Sequence, residues 1–545
     1  MLRPLVLLVT AATAATFLAS CASGEPSKGT KGHSPAGSAG ATPPARPSVV
    51  PALVRRMSPE EKVGQLFVPT FQTSAQAISM IKRYHIGGFV YFPGNTRTAR
   101  QTAELSNALQ KASTVPLLIG VDEEQGIVTR LPYITRFPGN MALGATRRPD
   151  SVRAAAVTTG TELRAVGINQ DYAPVADVNV NPANPVIGTR SFASDPKLAA
   201  ELVGAAVEGY QSAGVAATAK HFPGHGDTST DSHTGLPVIK HSRAQWEKLD
   251  APPFRSAIEH GVDAIMSAHI VVRGLDDSGD PATLSSKVLT GELRHRLGYK
   301  GVIVTDSLQM AGVRRKYGDM VAPVRAIKAG ADQLLMPPNP RTAYNAVLAA
   351  VRTGSIPQSR LDEAVTRILG LKEARGLFDH RLVDPAKAEA VMGSARHRST
   401  VRQVAEQSIT LVKNDGALLP LRGRRVYVTG PKGTALARAL RVHGVRTADT
   451  LQGADVAVLT TRDSGAATAA RVRSLAGRPV VVAALGLPYD LRSTGPAKAA
   501  LATYSSGSAS LSALAKVMSG ALRPVGRLPV GIPGAYDFGH GLTFS

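Results

Sequence analysis

The chain contains a single cysteine in 545 residues, Cys21, which excludes an intramolecular disulfide framework. Acidic residues are scarce: 40 Asp and Glu stand against 63 Lys and Arg, a formal charge of +23. Beyond the N-terminal stretch there is no apolar run long enough to cross a bilayer. Residues 22–50 hold almost no large apolar side chain and are rich in Gly, Ser, Ala, Pro and Thr. That composition cannot bury a core and reads as a flexible tether. Several catalytic signatures are also missing. There is no Gly-x-Ser-x-Gly elbow of a serine hydrolase and no His-Glu-x-x-His zinc helix. The stretch Val428-Thr429-Gly430-Pro431-Lys432-Gly433 lacks the Gly-Lys-Ser/Thr ending of a phosphate loop, which argues against nucleotide binding.

What is present begins with Met1-Leu2-Arg3 and a stretch of apolar and small residues from Pro4 to Ser20, the form of a secretory signal. It ends Leu18-Ala19-Ser20-Cys21, which resembles a bacterial lipobox. The expectation is a lipoprotein signal over residues 1–21, with Cys21 lipidated and the protein anchored to the outer, extracytoplasmic face of the cell membrane. An ordinary cleaved signal with a chance cysteine is the alternative. The positive charge is uneven. Residues 401–545 carry 18 Lys and Arg against 7 Asp and Glu, a net +11. Such an excess attracts polyanions; outside a cell these are anionic wall polymers or lipid headgroups rather than nucleic acid. A basic surface that only aids solubility is the bland alternative.

From residue 51 onward the chain is too long for one small domain. Eight apolar runs recur at 63–71, 87–92, 116–122, 168–177, 215–221, 264–272, 301–307 and 331–337. Helical patterns separate them, for example 98–111, 151–166, 196–213 and 243–260. This alternation predicts parallel strands buried on both faces. Eight units over some 300 residues suggest an α/β fold of the (β/α)8 TIM-like barrel type, assigned to residues 51–390. An open doubly wound sheet is the rival. Polar residues at the run ends (Asp122, Asp177, Lys220, His221, His269 and Asp306) favour the barrel, whose C-terminal strand ends share one mouth. A second pattern of strands and helices follows: 411–413, 425–430, 456–460, 480–484 and 501–504. It predicts a smaller three-layer α/β sandwich domain over 391–545.

Chemistry concentrates in residues 220–237, which hold one Lys, three His and two Asp among three Gly and two Pro. Such a mixture forms a loop and is too rich in titratable groups for a core. Asp231-Ser232-His233 sets a carboxylate two residues from an imidazole, and the pair can form a dyad that fixes the His tautomer and raises its basicity. Asp306 ends an apolar run. It is placed either to act as a nucleophile on a sugar carbon or to cap the next helix. Asp122 can accept hydrogen bonds from sugar hydroxyls, and Arg130, Arg190, Lys220 and His221 add donors. A metal site built from His221, His225, Asp231 and His233 is the rival chemistry, although these spacings match no zinc helix.

At these residues the chain resembles glycoside hydrolase family 3, near the bacterial β-N-acetylglucosaminidases. The likeness rests on Lys220-His221-Phe222-Pro223-Gly224-His225-Gly226-Asp227-Thr228 with Asp231-Ser232-His233. It extends to Val121-Asp122-Glu123-Glu124-Gln125-Gly126 with Arg130, to residues 184–192, to Val304-Thr305-Asp306-Ser307 and to Ala329-Gly330-Ala331-Asp332. It continues at 408–415 and 539–544. Relatives usually carry Glu-Gly-Gly where this chain has Glu124-Gln125-Gly126. The resemblance implies a retaining exo-glycosidase releasing terminal N-acetylglucosamine from cell-wall glycans. Asp306 would be the nucleophile and His233 the general acid/base, oriented by Asp231. Asp122, Arg130, Arg190, Lys220 and His221 would bind the sugar, with Met266 and His269 lining the same pocket. No cofactor or metal is implied, and a monomer is expected. A phosphorylase or a β-glucosidase of the same family remains an alternative, as does a non-enzymatic lipid-anchored wall-binding protein.

Overall fold

Eight short parallel strands fall on the eight apolar runs, the fifth ending one residue past its run, in a computed structural model that describes residues 47–232 and 235–544. They are β1 (Phe67–Val68), β2 (Gly88–Tyr91), β3 (Leu118–Val121), β4 (Gln170–Asp171), β5 (Ala216–Phe222), β6 (Ala264–Ser267), β7 (Val302–Thr305) and β8 (Leu334–Leu335). Strands β2 to β7 form one ladder in chain order, and β8 pairs with β1. The two remaining seams close through Val90 N–H donating to the Pro69 carbonyl (3.2 Å) and Thr305 N–H donating to the Gln333 carbonyl (3.0 Å). The sheet therefore curls into a TIM-like barrel, not an open doubly wound sheet. Cys21 and His233 lie outside the described residues.

The barrel interior is a small apolar plug of Val68, Val90, Tyr172, Met266, Val304 and Leu335. Gly120 is required there, because a Cβ would stand 2.8 Å from the Tyr172 hydroxyl oxygen and 2.9 Å from its ring. A much larger core between the strands and the surrounding helices runs from Val50 to Val404.

The helices begin where their sequences offer a start. Thr98 caps Ala99–Ala112 through the Gln101 amide, Asp195 caps Pro196–Ser212 through the Leu198 amide, and Pro149 opens Pro149–Ala165. These devices satisfy or remove first-turn donors. The pattern over 243–260 resolves into two helices, Arg243–Leu249 and Ala251–Glu259. The break falls at Asp250, whose carboxylate is taken by His241 (2.7 Å), and Pro252-Pro253 then start afresh.

The second body is a six-stranded sheet of β9 (Thr410–Asn414), β10 (Arg425–Thr429), β11 (Arg446–Ala448), β12 (Val456–Thr461), β13 (Val480–Ala484) and β14 (Ala499–Ala502). Its order is β9-β14-β13-β12-β10-β11, with only β9 antiparallel. Alternate residues serve two cores: Val456, Val458, Val481 and Ala483 face one, and Ala457, Leu459, Val480 and Val482 the other. That alternation makes the element the middle layer of a sandwich.

The two bodies share packing within one compact unit, residues 48–545. Every residue of the helix Asn140–Thr146 is buried, and Met141, Ala142 and Ala145 join the core beneath Leu459 and Val482. The 527–529 segment bonds to the barrel side through Arg527 N to Ala145 O (2.9 Å), Ser194 N to Pro529 O (3.0 Å) and Arg147 Nη2 to Leu528 O (2.6 Å). Among the described residues no helix is long and apolar enough to cross a membrane.

Candidate active site

The C-terminal ends of the barrel strands surround a cavity of 390 Å³, a size ordinary for small-molecule sites. Its floor includes Met266 and Leu335, the top of the apolar plug, and its walls carry Asp122, Glu124, Arg130, Arg190, Lys220, His221 and Asp306. Six of the sequence-predicted sugar-binding residues and the predicted nucleophile are thus brought together. His269 is not in the wall. It is wholly buried, donates from Nε2 to the Ser307 carbonyl (2.9 Å) and bonds Thr283 Oγ1 through Nδ1 (3.0 Å). It therefore supports the segment that carries Asp306 from behind.

Three consecutive residues after β3 divide the labour. Asp122 Oδ1 accepts from Lys220 Nζ at 2.7 Å. Glu123 turns the other way and accepts from the Arg130 and Leu131 amides (2.8 and 3.2 Å), which closes the loop back on itself. Burial pushes its carboxyl up to about 7. Glu124 is gripped by both cations: its Oε1 lies 2.6 Å from Lys220 Nζ, and the Arg190 guanidinium spans both oxygens at 2.8 Å. Burial alone would raise the Glu124 pKa, but the charges of Arg190 and Lys220 outweigh it and hold the carboxyl well below the ordinary range. Burial likewise opposes the charge on Lys220, and Asp122 and Glu124 reverse this and raise its pKa. Two carboxylates and two cations so form a balanced quartet, which is how buried charge becomes tolerable.

A pairing shift against β6 between Lys220 and Phe222 lets two adjacent residues, Lys220 and His221, both line the mouth. His221 Nδ1 lies 2.7 Å from Asp177 Oδ2, and its Nε2 faces Arg190 Nη2 at 3.4 Å. The Asp177 carboxylate can only accept, so Nδ1 carries the proton of that bond. The other Asp177 oxygen accepts from the backbone amides of His221 (3.2 Å) and His225 (2.7 Å). Arg130 stacks over Phe92, 5.4 Å from the ring centroid, and its Nε finds no acceptor among the described residues. A buried donor without a partner in the cavity wall suits a ligand oxygen.

Asp306 follows β7 directly. Its amide bonds the Ser267 carbonyl (3.1 Å), and its Oδ1 accepts from the Ser307 amide (2.7 Å). Burial would raise its pKa, but His221, His269, the Ser307 amide and Lys220 together lower it, so the carboxyl stays ionised. It does not cap the next helix, which starts at Ala311 with Met310 in the cap position.

The loop after β5 is tied down at both ends. Asn184 Nδ2 donates to the His225 carbonyl (2.8 Å), and the His225 ring bonds Thr228 Oγ1 (2.8 Å) and Ser232 Oγ (2.9 Å). Burial lowers the His225 pKa to about 4, so the ring is neutral at pH 7. Asp227, midway, accepts from His241 Nε2 (2.9 Å). Ser232 lines the same cavity as Asp306. The backbone on either side of residues 233–234 also touches the element that follows Asp306: a Cβ on Gly312 would stand 2.3 Å from the Gly235 oxygen and 3.3 Å from the Ser232 oxygen. His233 itself is not among the described residues, and Asp231 is partly exposed. With both His225 nitrogens committed, the metal alternative loses one ligand. Among the described residues no group of three or more His, Cys, Asp or Glu could hold a metal ion.

Sequence reasoning left Glu124 and Asp177 without roles. Glu124 stands three residues beyond β3, and Asp177 closes the apolar run 168–177, six residues past β4. Gln125, at the departure from the usual pattern, has a left-handed φ of 68°. Its side chain points away from the cavity, accepting from the Phe137 amide (3.0 Å) and donating to Thr159 Oγ1 (3.1 Å). Glycine is favoured at that φ, and here two side-chain hydrogen bonds offset the strain.

A barrel mouth lined by an ionised aspartate, a quartet of two carboxylates and two cations, and a guanidinium whose Nε has no partner among the described residues defines a polar-ligand enzyme of the glycosidase type. Residues 58–371 match the model of the glycosyl hydrolase family 3 N-terminal domain. The chain belongs to glycoside hydrolase family 3 and is an enzyme of that class. It is 40% identical over 63% of its length to beta-hexosaminidase A of Pseudoalteromonas piscicida, spanning 62% of that protein. It is 35% identical to beta-hexosaminidase LpqI of Mycobacterium tuberculosis, over 68% of this chain and 97% of that one. Among solved structures it is similar to the family 3 beta-N-acetylglucosaminidase of Paenibacillus sp. str. FPU-7, with 36% identity and a TM-score of 0.82 over 87% of this chain and 99% of that one. The beta-glucoside phosphorylase BglX superposes with a TM-score of 0.81 at 26% identity, over 89% of this chain and 96% of that one.

Proposed function

We propose that the protein is a retaining, exo-acting β-N-acetylglucosaminidase that removes terminal N-acetylglucosamine from cell-wall glycans or muropeptides. The observation that carries this reading is the ionised Asp306 carboxylate in the wall of a cavity whose other walls offer matched carboxylates and cations to sugar hydroxyls. In the first step an Asp306 oxygen forms a bond to the anomeric carbon as the glycosidic C–O bond breaks. His233, oriented by Asp231, gives its proton to the departing oxygen. In the second step the now neutral His233 takes a proton from water, whose oxygen displaces Asp306 from the same carbon. Asp122, Glu124, Arg130, Arg190, Lys220 and His221 bind the terminal sugar. The choice of N-acetylglucosamine over glucose rests on the named relatives. No cofactor enters this scheme.

Phosphorolysis is the second reading, favoured by the likeness to BglX. An imidazole in place of a second carboxylate near Asp306 removes a repulsion that phosphate would otherwise meet. We place the protein outside the cytoplasmic membrane, held by lipid on Cys21, and expect a monomer.

The test is turnover of 4-nitrophenyl β-N-acetylglucosaminide and β-glucoside by the full chain, in phosphate-free and phosphate buffers. The account expects free N-acetylglucosamine in both buffers and a preference for that sugar. N-acetylglucosamine 1-phosphate as the main product, or faster release of glucose, would overturn it.

A further inference from the structure

A second cavity of 610 Å³ adjoins the first, and Val186 belongs to the walls of both. Its barrel side is formed by residues 126–127, 136–138 and 184–189. Its far side is made of segments that leave the C-terminal ends of four strands of the second sheet: Lys432 after β10, Arg462 after β12, Gly486 after β13 and Ser505–Ser510 after β14.

The strand order makes this edge special. β10 and β12 are neighbours, yet the chain leaves β10 for β11 on one side and returns to build β12, β13 and β14 on the other. Adjacent strands whose connections depart in opposite directions open a crevice at their carboxyl ends, the position where open α/β sheets bind ligands. Two helices begin at this crevice, Gly433–Val442 and Ser508–Ser519. Their cap residues, Lys432 and Gly507, provide no side-chain cap; the Gly433 amide is taken by the Gly430 carbonyl (3.0 Å), and the other first-turn amides are left for another acceptor.

The charges agree. Arg136, Lys432 and Arg462 line the cavity against one carboxylate, Asp463. Asp463 is engaged by the Leu487 amide (3.1 Å) and stands 4.0 Å from Arg462 Nε. An independent sign of a missing acceptor or donor comes from Ser510, which is wholly buried in the cavity wall and whose hydroxyl has no hydrogen-bond partner among the described residues. Uncapped helix starts, an excess of cations and an unpartnered hydroxyl all call for one chemistry, an oxyanion.

We propose that this crevice of the second domain binds an oxyanion, a carboxylate or phosphate, carried by the leaving-group side of the glycan whose terminal sugar sits in the barrel cavity. The inference rests on the glycosidase reading and deepens it: the second body selects acidic over neutral substrates. Lys432 and Arg462 supply the charge, and the first turns of the two helices supply directed amides.

The test compares kcat/KM for a disaccharide bearing a lactyl carboxylate on its second sugar with that for neutral chitobiose, in phosphate-free buffer, for the wild type and the Lys432→Ala/Arg462→Ala variant. The expected wild-type preference for the acidic disaccharide is at least tenfold, collapsing toward one in the variant. A wild-type ratio near one, or a ratio the variant does not change, overturns the proposal. Calorimetric titration with N-acetylmuramic acid and with inorganic phosphate gives a readout independent of turnover. Binding of the sugar acid by the wild type and at least tenfold weaker binding by the variant support the crevice even if no glycoside is cleaved, an outcome that would sink the glycosidase reading alone. Saturation by free phosphate without any effect of the carboxylate on sugar affinity would contradict attachment of the anion to the substrate.

Discussion

Replacing Gly312 by alanine perturbs the loop that carries the proposed acid/base without touching any proposed catalytic group. The new methyl would meet the Gly235 carbonyl oxygen at 2.3 Å and the Ser232 oxygen at 3.3 Å. Restoring ordinary contact with the nearer atom requires a displacement of about 1 Å. Both contacts are backbone atoms flanking residues 233–234, so no side chain can rotate aside. Either the loop retreats from the barrel mouth or the helix Ala311–Ala329 shifts together with the segment after Asp306. A misplacement of about 1 Å costs up to about 100-fold in rate where a catalytic group must stay aligned. If the loop yields, kcat/KM falls by roughly 10–100-fold on a disaccharide whose leaving group needs protonation, and far less on an aryl glycoside with a good leaving group. His233→Ala should show the same selectivity, more severely. If the helix yields, Asp306 moves too, and both substrates suffer alike. Alanine is favoured over glycine in a helix by roughly 0.5–1 kcal/mol, so a general loss of stability is not a trivial explanation. Unchanged activity on both substrates, with an unchanged melting temperature, would refute the placement of this loop.

Two further outcomes follow from buried charge. Glu124→Gln removes one carboxylate from the quartet and leaves Lys220 and Arg190 with Asp122 alone; the expected loss is about 3–5 kcal/mol in denaturant unfolding, with a large rise in KM, and a change under 0.5 kcal/mol would contradict the quartet's role. The His241 latch gives a pH signature. Its hydrogen bond to Asp250, and the charges of Asp250 and Asp227, raise its pKa in the folded state against the opposing effect of burial. A raised folded pKa means that its stabilisation is fully present below the unfolded value of about 6.5 and is lost as pH rises through the folded value. The stability difference between wild type and His241→Gln should therefore be largest near pH 6, at roughly 1.5–3 kcal/mol, and shrink toward pH 9. A pH-independent difference would show that the latch is not ionic.

Much of this architecture is legible in the sequence because barrel strands are buried on both faces and stand out as apolar runs. A strand falls on each of the eight runs. The edge strand Arg446–Ala448 escapes the same reading: it is short, and none of its residues is buried. The helix Asn140–Thr146 escapes because it is buried all round, and periodicity vanishes when no face is exposed. In the site, Asp122, Lys220 and Asp306 declare themselves as polar residues at apolar strand ends. His269 has the same local signature, yet the chain bends after β6 and sends it behind Ser307; which way a side chain turns just past a strand end depends on contacts that spacing does not encode. The crevice at the second sheet is invisible for a related reason. Lys432, Arg462 and Ser510 lie about 30 and 48 residues apart in sequence, and only the crossover order of the strands brings them to one edge.

The central claim is that Asp306 forms a covalent ester with the sugar while His233 manages the proton. Peptide mapping by mass spectrometry, after brief incubation of the full chain with an activated fluorosugar donor, tests it directly. The account predicts one glycosyl adduct on the peptide carrying Asp306, and none in Asp306→Ala. Continued turnover with no adduct, or an adduct on a different carboxylate, would contradict it.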